Sequence, residues 1–406
     1  MTVASTVEVA FELTTGDAPY FRVGDPVKGV VGNSTYRVAG PIWIDITDSV
    51  ISASVKRGRN RELDRFSAGQ LNVQLNNETR LFDPLNTASP YTGNIIPRRA
   101  IRISTGGVTQ FTGVIVDWDF SYETSGQSKA TIKAADAFTL FAQQQLTAGT
   151  AIEQTTGARV NAVLSMPSVA WPLTDRAIDT GSSTVGADVF DSSMTAIDYL
   201  IQVEASEQGQ LFMGKTGWVT FINGTETITS GASFATFADD GTGIPYTAAS
   251  VNYGTDLLYN QVTSTSPAGT AVATNTDSQN TYGIAATSVS SLLSTLTATS
   301  NLAQYWVNKY GQPEYRFDSL VVNLDGLDGA DLTTVLAIEL GDIIYIKFTP
   351  NGIGDEIARY GQIISIDHQI SAASHEVTFG VGSLQYSFLV LDDVGFGILD
   401  QNALGF

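Results

Sequence analysis

The chain has 406 residues, enough for two to four domains with a sizeable buried core. Only 15% of the residues are charged, and Ser, Thr, Asn, Gln and Gly supply most of the polarity, a composition typical of β proteins. The absence of cysteine excludes disulfides, thiol catalysis and cysteine-ligated metals, and a formal net charge of −20 argues against a protein that binds nucleic acid by attracting phosphate.

The first third of the chain is predicted to be β structure closed by a short helix. Apolar and polar residues alternate over 7–12, which predicts a strand, whereas Gly, Asp and Pro punctuate 14–40 and indicate an irregular or hairpin segment. Asp136 stands where a helix N-cap belongs, so a helix is predicted over 138–145. The other strands predicted here are 43–47, 50–55, 71–75, 100–104, 111–120 and 129–135.

The remainder is predicted to mix helix and strand before returning to β structure. A short helix is predicted at 157–165, and a longer one at 192–208 between a cap at Asp191 and a stop at Gly209. A Ser/Thr/Gly-rich region precedes a helix predicted from about Ser290 to Tyr310. Strands are predicted at 210–213, 218–222, 317–324, 344–348, 362–370 and 376–381, and the last four suggest a barrel. Residues 390–406 are predicted to be a tail that docks or frays.

Residues 56–103 form the most informative stretch. Residues 56–102 hold nine of the 21 Lys and Arg but four of the 41 Asp and Glu, so they carry +5 and the remainder carries −25. These basic side chains either decorate an exposed face or meet an acidic surface on another subunit. A long loop follows the strand at 71–75, and loops of this length are usually disordered or functional. Its apolar residues, among them Phe82 and Tyr91, argue against disorder.

The order of motifs in this stretch resembles that of the minor tail proteins that form the tail-tip hub of long-tailed bacteriophages. The motifs are Arg57-Gly58, 63–66, Ala68-Gly69, 80–84, 89–91, Gly93-Asn94 and 97–99. Further pieces similar to the hub pattern follow in the expected order. They are Ser206, Glu207 and Gly209, then 258–262, Asp277-Ser278, Tyr282-Gly283 and Gly341-Asp342.

The resemblance implies a mainly β (α+β) fold with two small tudor-like β-barrels, an α/β insertion and a long helix. The expected divisions are an N-terminal β extension (1–40), a first barrel with a short closing helix (41–149), an α/β insertion (150–251), and a long helix with the second barrel and C-terminal tail (252–406). The N-terminal extension is longer than the family leads us to expect. No fibre, host-binding or hydrolase domain follows the second barrel, so those functions are expected on other subunits.

The resemblance also implies a structural, non-enzymatic role at the tail tip of a siphophage virion. A homotrimer of such subunits would cap the tail tube, connect it to the tip fibres and open for DNA passage. The implied partners are other copies of the chain, the distal tail protein ring or tail tube, the tape-measure protein and other minor tail or fibre proteins. No sequence-specific nucleic acid is expected, given the net charge of −20. No membrane anchor is expected, because no apolar stretch reaches 18 residues.

The predicted functional residues are therefore contacts between subunits. We predict inter-subunit salt bridges from Arg57, Arg59, Arg61, Arg65, Arg98 and Arg99, presented by a loop that Phe82, Asp83, Pro84 and Tyr91 shape. Replacing Arg59 and Arg61 together with Glu is expected to impair assembly without changing the circular dichroism of the monomer. The alternative function is a carbohydrate- or receptor-binding β module of the tail tip, which would need an exposed aromatic platform.

No catalytic, cofactor or metal site is predicted. His368 shares the strand parity of apolar neighbours, which indicates a buried histidine, and a metal site with His375 would need a third ligand that the sequence does not supply. The acidic turn at 325–331 does not fit the EF-hand spacing and is predicted to be a solvated loop. Asp117 and Asp119 have the residue types of a glycosidase pair, but a pair at a strand edge or facing a barrel lumen is commoner.

Overall fold

The computed structural model describes residues 3–11, 42–124, 126–224 and 233–384. Most of the predicted N-terminal extension and all of the predicted tail at 390–406 therefore lie outside the described residues. The helices are α1 (Phe138–Phe141), α2 (Thr156–Leu164), α3 (Ala196–Ala205), α4 (Thr276–Tyr282), α5 (Leu296–Tyr310) and α6 (Gly329–Ala337). Within these ranges, no helix has the length and apolarity needed to span a bilayer.

The first group of strands lies before α1 and forms one half of a large sheet. It consists of β1 (Ser5–Val9), β2 (Ile44–Asp45), β3 (Val50–Gly58), β4 (Ser67–Asn76), β5 (Ala100–Thr105), β6 (Val108–Tyr122) and β7 (Ser128–Ala135). The insertion that follows contains β8 (Gly149–Ala151), β9 (Gln154–Thr155), β10 (Arg176–Ile178), β11 (Thr184–Val185), β12 (Asp188–Phe190), β13 (Gln210–Met213) and β14 (Val219–Ile222).

The remaining strands form the other half of the large sheet and a small separate sheet. They are β15 (Ala235–Ala238), β16 (Ala248–Tyr253), β17 (Gln261–Ser266), β18 (Gly269–Thr274), β19 (Ala286–Ser290), β20 (Tyr315–Asn323), β21 (Ile343–Phe348), β22 (Ile357–Ser371) and β23 (His375–Ser383). The small sheet has the order β18-β17-β19 and packs against α5.

One 13-stranded sheet joins the first and the last of the described strands. Its main path runs β16-β20-β23-β22-β3-β4-β7-β6-β5-β1-β2, and β21 attaches β15 to β22. The central pair is antiparallel, with Ser365 opposite Gly58 and Ser371 opposite Ser52. The mainly β fold with an α/β insertion and a long helix is confirmed. The two predicted barrels are the halves of this continuous sheet, and the pairings of the described strands do not close either half into a ring.

Three apolar cores support the sheets. The first is enclosed by β1 and β3 to β7 and receives Phe82 from the long loop. The second runs without a break from the insertion into the later half of the large sheet, where helices α1 to α3 and strands β20 to β23 contribute to it. The third is small and lies between α5 and β17. The alternation at 71–75 is confirmed, since Leu71, Val73 and Leu75 are all fully buried.

Three predicted helices have wrong boundaries. The long helix begins at Leu296 rather than near Ser290, because 286–290 pair with β17 and Thr295 supplies the cap. The helix predicted over 192–208 begins at Ala196, capped by Thr195 instead of Asp191, and ends at Ala205. Helix α1 ends at Phe141 instead of near 145, although Asp136 does accept a hydrogen bond from the Phe138 amide.

The acidic turn at 325–331 is a further correction, because it leads into a helix. Asp328 caps α6 by accepting hydrogen bonds from the amides of Ala330 and Asp331, both at 2.9 Å. Asp325 accepts hydrogen bonds from the Val3 and His375 amides. This turn therefore fixes a helix start and joins the segment before β1 to the start of β23, instead of being only a solvated loop.

Candidate assembly surface and its support

Arg57 lies inside the chain. Its side chain is 3% exposed, and its Nη2 atom is 2.5 Å from Glu339 Oε1 and 2.9 Å from the Met213 carbonyl oxygen. Since alternate residues of a strand face the same side, Arg57 shares the inward face of Ala53 and Val55. The guanidinium therefore joins β3 to the insertion and to the segment before β21. It offers almost no surface to another subunit.

Glu62 is the centre of a second buried polar network, one that the sequence did not predict. Its carboxylate is 2.6 Å from Lys309 Nζ and accepts hydrogen bonds from the Tyr310 hydroxyl and the Ser383 amide, both at 3.0 Å. Burial alone would raise the pKa of Glu62, but the Lys309 ammonium and the Ser383 donors outweigh it and lower the pKa to about 2. The network fastens the loop after β3 to α5 and to the end of β23.

The other predicted arginines differ in exposure. Arg61, Arg65 and Arg98 are exposed, whereas Arg59 and Arg99 are half-buried. The Arg59 guanidinium lies over the Phe66 ring, 4.7 Å from its centroid, which is a cation–π contact. The three exposed arginines are therefore the members of the predicted set with most surface available to another molecule.

Hydrogen bonds hold the long loop at 77–98 in one shape. The Asn77 side chain accepts a hydrogen bond from the Phe82 amide at 2.9 Å. Asp83 pairs with Arg80 at 2.6 Å and accepts a hydrogen bond from the Leu85 amide at 2.8 Å. Leu85 itself is 82% exposed. The loop is therefore a braced structure that presents apolar surface at its tip.

A row of stacked aromatic rings anchors the same loop to the sheet. Starting in the first core, the rings belong in order to Phe11, Tyr91, Phe82, Trp118, Phe120 and Tyr122. The centroids of neighbouring rings in this row are 4.2, 5.8, 6.3, 6.3 and 6.4 Å apart. Phe82 is fully buried, while Tyr122 at the far end is 53% exposed. Trp118 and Phe120 are half-buried, so the outer end of the row reaches the surface. The carbohydrate-binding alternative, which needs an exposed aromatic platform, stays a prediction.

The Ser206, Glu207 and Gly209 motif organises the insertion around one buried carboxylate. Glu207 accepts hydrogen bonds from the amides of Ser182 at 2.8 Å, Ser183 at 3.0 Å and Gly224 at 3.3 Å. The Thr156 hydroxyl, at the start of α2, also donates to it. One side chain therefore joins two loops and a helix, which explains why an acidic residue is buried at this position.

Replacing Glu207 with Gln is expected to lower the free energy of unfolding by about 2 to 4 kcal/mol, since the amide group cannot accept from all of these donors and leaves some of them unpaired. Urea denaturation followed by far-UV circular dichroism measures the change. Glu153→Gln is the matched control, because Glu153 is exposed and precedes the same helix. Equal stability of the two variants would contradict the structural role of Glu207.

Two glycines of the motifs are required by close backbone approach. A Cβ atom on Gly58, which has φ +101°, would lie 2.2 Å from the Ile364 carbonyl oxygen where β3 meets β22. A Cβ atom on Gly209 would lie 2.5 Å from the Ile222 carbonyl oxygen. Both positions therefore set how closely two chain segments pack.

Asn260 brings together three motif pieces that are separate in sequence. Its Nδ2 donates hydrogen bonds to Ser278 Oγ at 3.1 Å and to the Gly283 carbonyl at 2.8 Å. Its Oδ1 accepts one from the Ala285 amide at 2.8 Å. The pieces at 258–262, 277–278 and 282–283 thus form one buried junction of the small sheet.

The two histidines form a buried pair. Nδ1 of His368 is 3.0 Å from Nε2 of His375, and both side chains are nearly inaccessible. Burial lowers the pKa of both imidazoles, that of His375 to about 4, so the pair is uncharged at neutral pH. No group of three His, Cys, Asp or Glu side chains within the described ranges is placed to hold a metal ion.

Asp117 and Asp119 do not have the environment of a glycosidase pair. Both are exposed on β6, and Asp119 is 2.5 Å from Lys133 on the neighbouring strand. The hydrogen bond from Lys133 lowers the pKa of Asp119, the opposite of what a general acid requires. The pair is better explained as part of a polar strand edge.

Comparison with solved structures identifies the fold. A tail protein from Neisseria meningitidis MC58 matches with a TM-score of 0.61 and 10% identity over 94% of this chain and 97% of that one. The chain has the fold of a phage tail protein. The 43 kDa tail protein of prophage MuSo2 from Shewanella oneidensis covers the same shares, with a TM-score of 0.57 and 12% identity. No protein-family model and no curated protein sequence matches the chain.

Proposed function

We propose that this chain is a structural subunit of the hub at the tip of a siphophage tail. The observation that supports the proposal is the length of the match, since the shared fold covers 94% of this chain and 97% of each of two tail proteins. In this role the protein lies in the virion tail, caps the tail tube, connects it to the tip fibres and opens for DNA passage. Its partners are the distal tail protein ring or tail tube, the tape-measure protein and other minor tail proteins.

The charges of the chain and the two halves of its large sheet support assembly from several copies. Arg57, Arg80 and Arg102 of the basic stretch form ion pairs within the chain. The exposed Arg61, Arg65 and Arg98 are left to face an acidic surface of another copy, in a chain with a net charge of −20. Two similar sheet halves in each of three chains would give six similar units, which matches a hexameric tail ring above a threefold tip. A channel lined by an acidic protein would also bind DNA weakly as it passes.

Native mass spectrometry of the purified chain tests this proposal. A trimer is expected, and electron microscopy of the trimer is expected to show a central channel. A hexamer would favour a ring component of the tail above the hub. A chain that stays monomeric at all concentrations and also fails to bind purified tail tubes would contradict the proposal.

Replacing Arg61 and Arg98 together with Glu is expected to abolish trimer formation, because both side chains are exposed and charge reversal places like charges against the acidic neighbour. Reversal of Arg59 would also remove its contact with Phe66 within the same chain, so it tests the subunit contact less cleanly. The urea midpoint of unfolding of the double variant should stay close to that of the parent protein, because exposed substitutions change stability little. Lys129→Glu, an exposed reversal outside the basic stretch, is the control. Normal trimers of the double variant would count against a contact through these arginines.

A further inference from the structure

A cleft of about 460 Å³ lies between the insertion and the small sheet. It is bordered by the loop at 59–65, the end of α3, β19 and α5, and Glu62 and Lys309 of the buried network also line it. Its volume lies in the range of about 300 to 1,000 Å³ that is usual for ligand pockets. Of the predicted functional residues, Arg59 and Arg65 are the two that line the cleft.

The charged side chains of the cleft balance one another. The lining holds three cations and three carboxylates, which are Arg59, Arg65, Lys309, Glu62, Asp64 and Glu204. Glu62 is paired with Lys309 at 2.6 Å, and the positive charges of Arg59 and Arg65 act on Glu204. A charged ligand therefore gains no net attraction from the lining as a whole. The cleft suits a ligand without net charge.

Two buried polar atoms on side chains that line the cleft have no hydrogen-bond partner among the described residues. Gln210 is 3% exposed, and its Nε2 donates to Gln362 Oε1 at 2.5 Å, whereas its own Oε1 accepts from no donor. Nε of Arg59 is also buried and donates to no acceptor. Buried polar atoms are normally hydrogen-bonded, so a ligand that both donates and accepts would satisfy these two positions. A hydroxyl group does both.

Helix α5 contributes aromatic rings to the same cleft. Tyr305 and Trp306 are half-buried and line it, and the rings of Trp306 and Tyr310 pack with their centroids 5.3 Å apart. Ile201 on α3 and Val289 on β19 add apolar surface. The C–H face of a sugar ring packs on such a surface because the contact removes apolar area from water. The hydroxyl groups of the sugar remain free for hydrogen bonds.

We propose that the cleft binds a small neutral saccharide. The C–H face of a sugar ring packs on Trp306, one hydroxyl donates to Gln210 Oε1, and another accepts from Arg59 Nε. An aliphatic ligand would leave these two polar atoms unpaired. The cleft gives the carbohydrate-binding alternative a specific site, which shares no residue with the row of stacked rings at β6. This inference goes beyond the proposed structural function and does not depend on it.

A glycan array probed with the full chain tests the class of ligand. We expect binding to neutral oligosaccharides, with no preference for sialylated or sulfated glycans of the same core. The strongest neutral oligosaccharide is then titrated against the chain by isothermal titration calorimetry. Binding to no neutral glycan, or binding confined to charged glycans, would overturn the proposal. A trimer that binds no neutral glycan would remove this inference and leave the proposed hub function intact.

Two variants test whether binding occurs in this cleft. Trp306→Ala is expected to weaken binding of that oligosaccharide at least about tenfold, because the ring surface that packs on the sugar is lost. Ser288→Trp should weaken binding to a similar degree by filling the cleft, since Ser288 lines it and is exposed on β19. Thr274→Trp is the control, at an exposed residue of the opposite edge strand, β18, outside the cleft. Unchanged affinity of folded Ser288→Trp would overturn the assignment to this cleft.

Discussion

Replacing Arg57 with Met is expected to lower the free energy of unfolding by about 3 kcal/mol, the cost of breaking a largely buried ion pair by removing one partner. Arg57 is 3% exposed and Glu339 is 25% exposed, so the penalty belongs at the lower end of the range for such pairs. The Met213 carbonyl also loses its donor. Urea denaturation of the isolated chain measures the effect.

Two further variants make the Arg57 result specific. Lys56→Met changes the adjacent, exposed residue of the same strand and should alter stability by less than about 0.5 kcal/mol. Adding Glu339→Gln to Arg57→Met should recover part of the loss, because the remaining buried charge is then removed. If Arg57→Met instead left unfolding unchanged and only blocked trimer formation, Arg57 would be an inter-subunit contact after all.

Replacing Glu62 with Gln is expected to lower the free energy of unfolding by about 2 to 3 kcal/mol at pH 7. This agrees with a carboxylate whose pKa is lowered from 4.5 to about 2 on folding. Gln keeps the shape of the side chain but removes the charge that pairs with Lys309 at 2.6 Å. The loss should appear in the stability of the isolated chain, because Glu62, Lys309 and Ser383 belong to one network within it.

The cost of Glu62→Gln should also depend on pH in a defined direction. Since folding lowers the pKa of Glu62, its contribution is fully present above about pH 5 and is lost as the pH falls from 4.5 toward 2. Burial raises the pKa of Asp136 and of Glu204 to about 7. Both groups are present in the parent protein and in Glu62→Gln, so their effects cancel when the two free energies of unfolding are subtracted. Unfolding at pH 7, 5, 4 and 3 measures the trend.

Glu78→Gln provides the control for this pH series. Glu78 is an exposed residue in the turn after β4. Its replacement should therefore change the free energy of unfolding only slightly from that of the parent protein at every pH. A difference between Glu62→Gln and the parent protein that stayed constant from pH 7 to pH 3 would show that the charge of Glu62 does not stabilise the fold.

Local patterns in the sequence determined most of the strands and several buried positions. The alternation at 71–75 and the placement of His368 among apolar neighbours follow from the two-residue period of a strand, which the sequence displays directly. The same parity, applied to Arg57 after Ala53 and Val55, would have predicted that this arginine points inward. The ordered motifs also predicted the tail-protein fold, since their glycines and polar residues meet local demands for close packing and buried hydrogen bonds.

Only the tertiary structure decided how distant segments combine. Residues 286–290 have no helix-breaking signal, yet pairing with β17 makes them a strand. Glu62 and Lys309 lie 247 positions apart, and their ion pair exists because β23 and α5 are brought to the same loop. The joining of β3 to β22 turned two expected barrels into one continuous sheet. The backbone N–H and C=O groups at the edge of a strand form hydrogen bonds with whichever segment packs beside it. A local sequence pattern does not specify which segment that is.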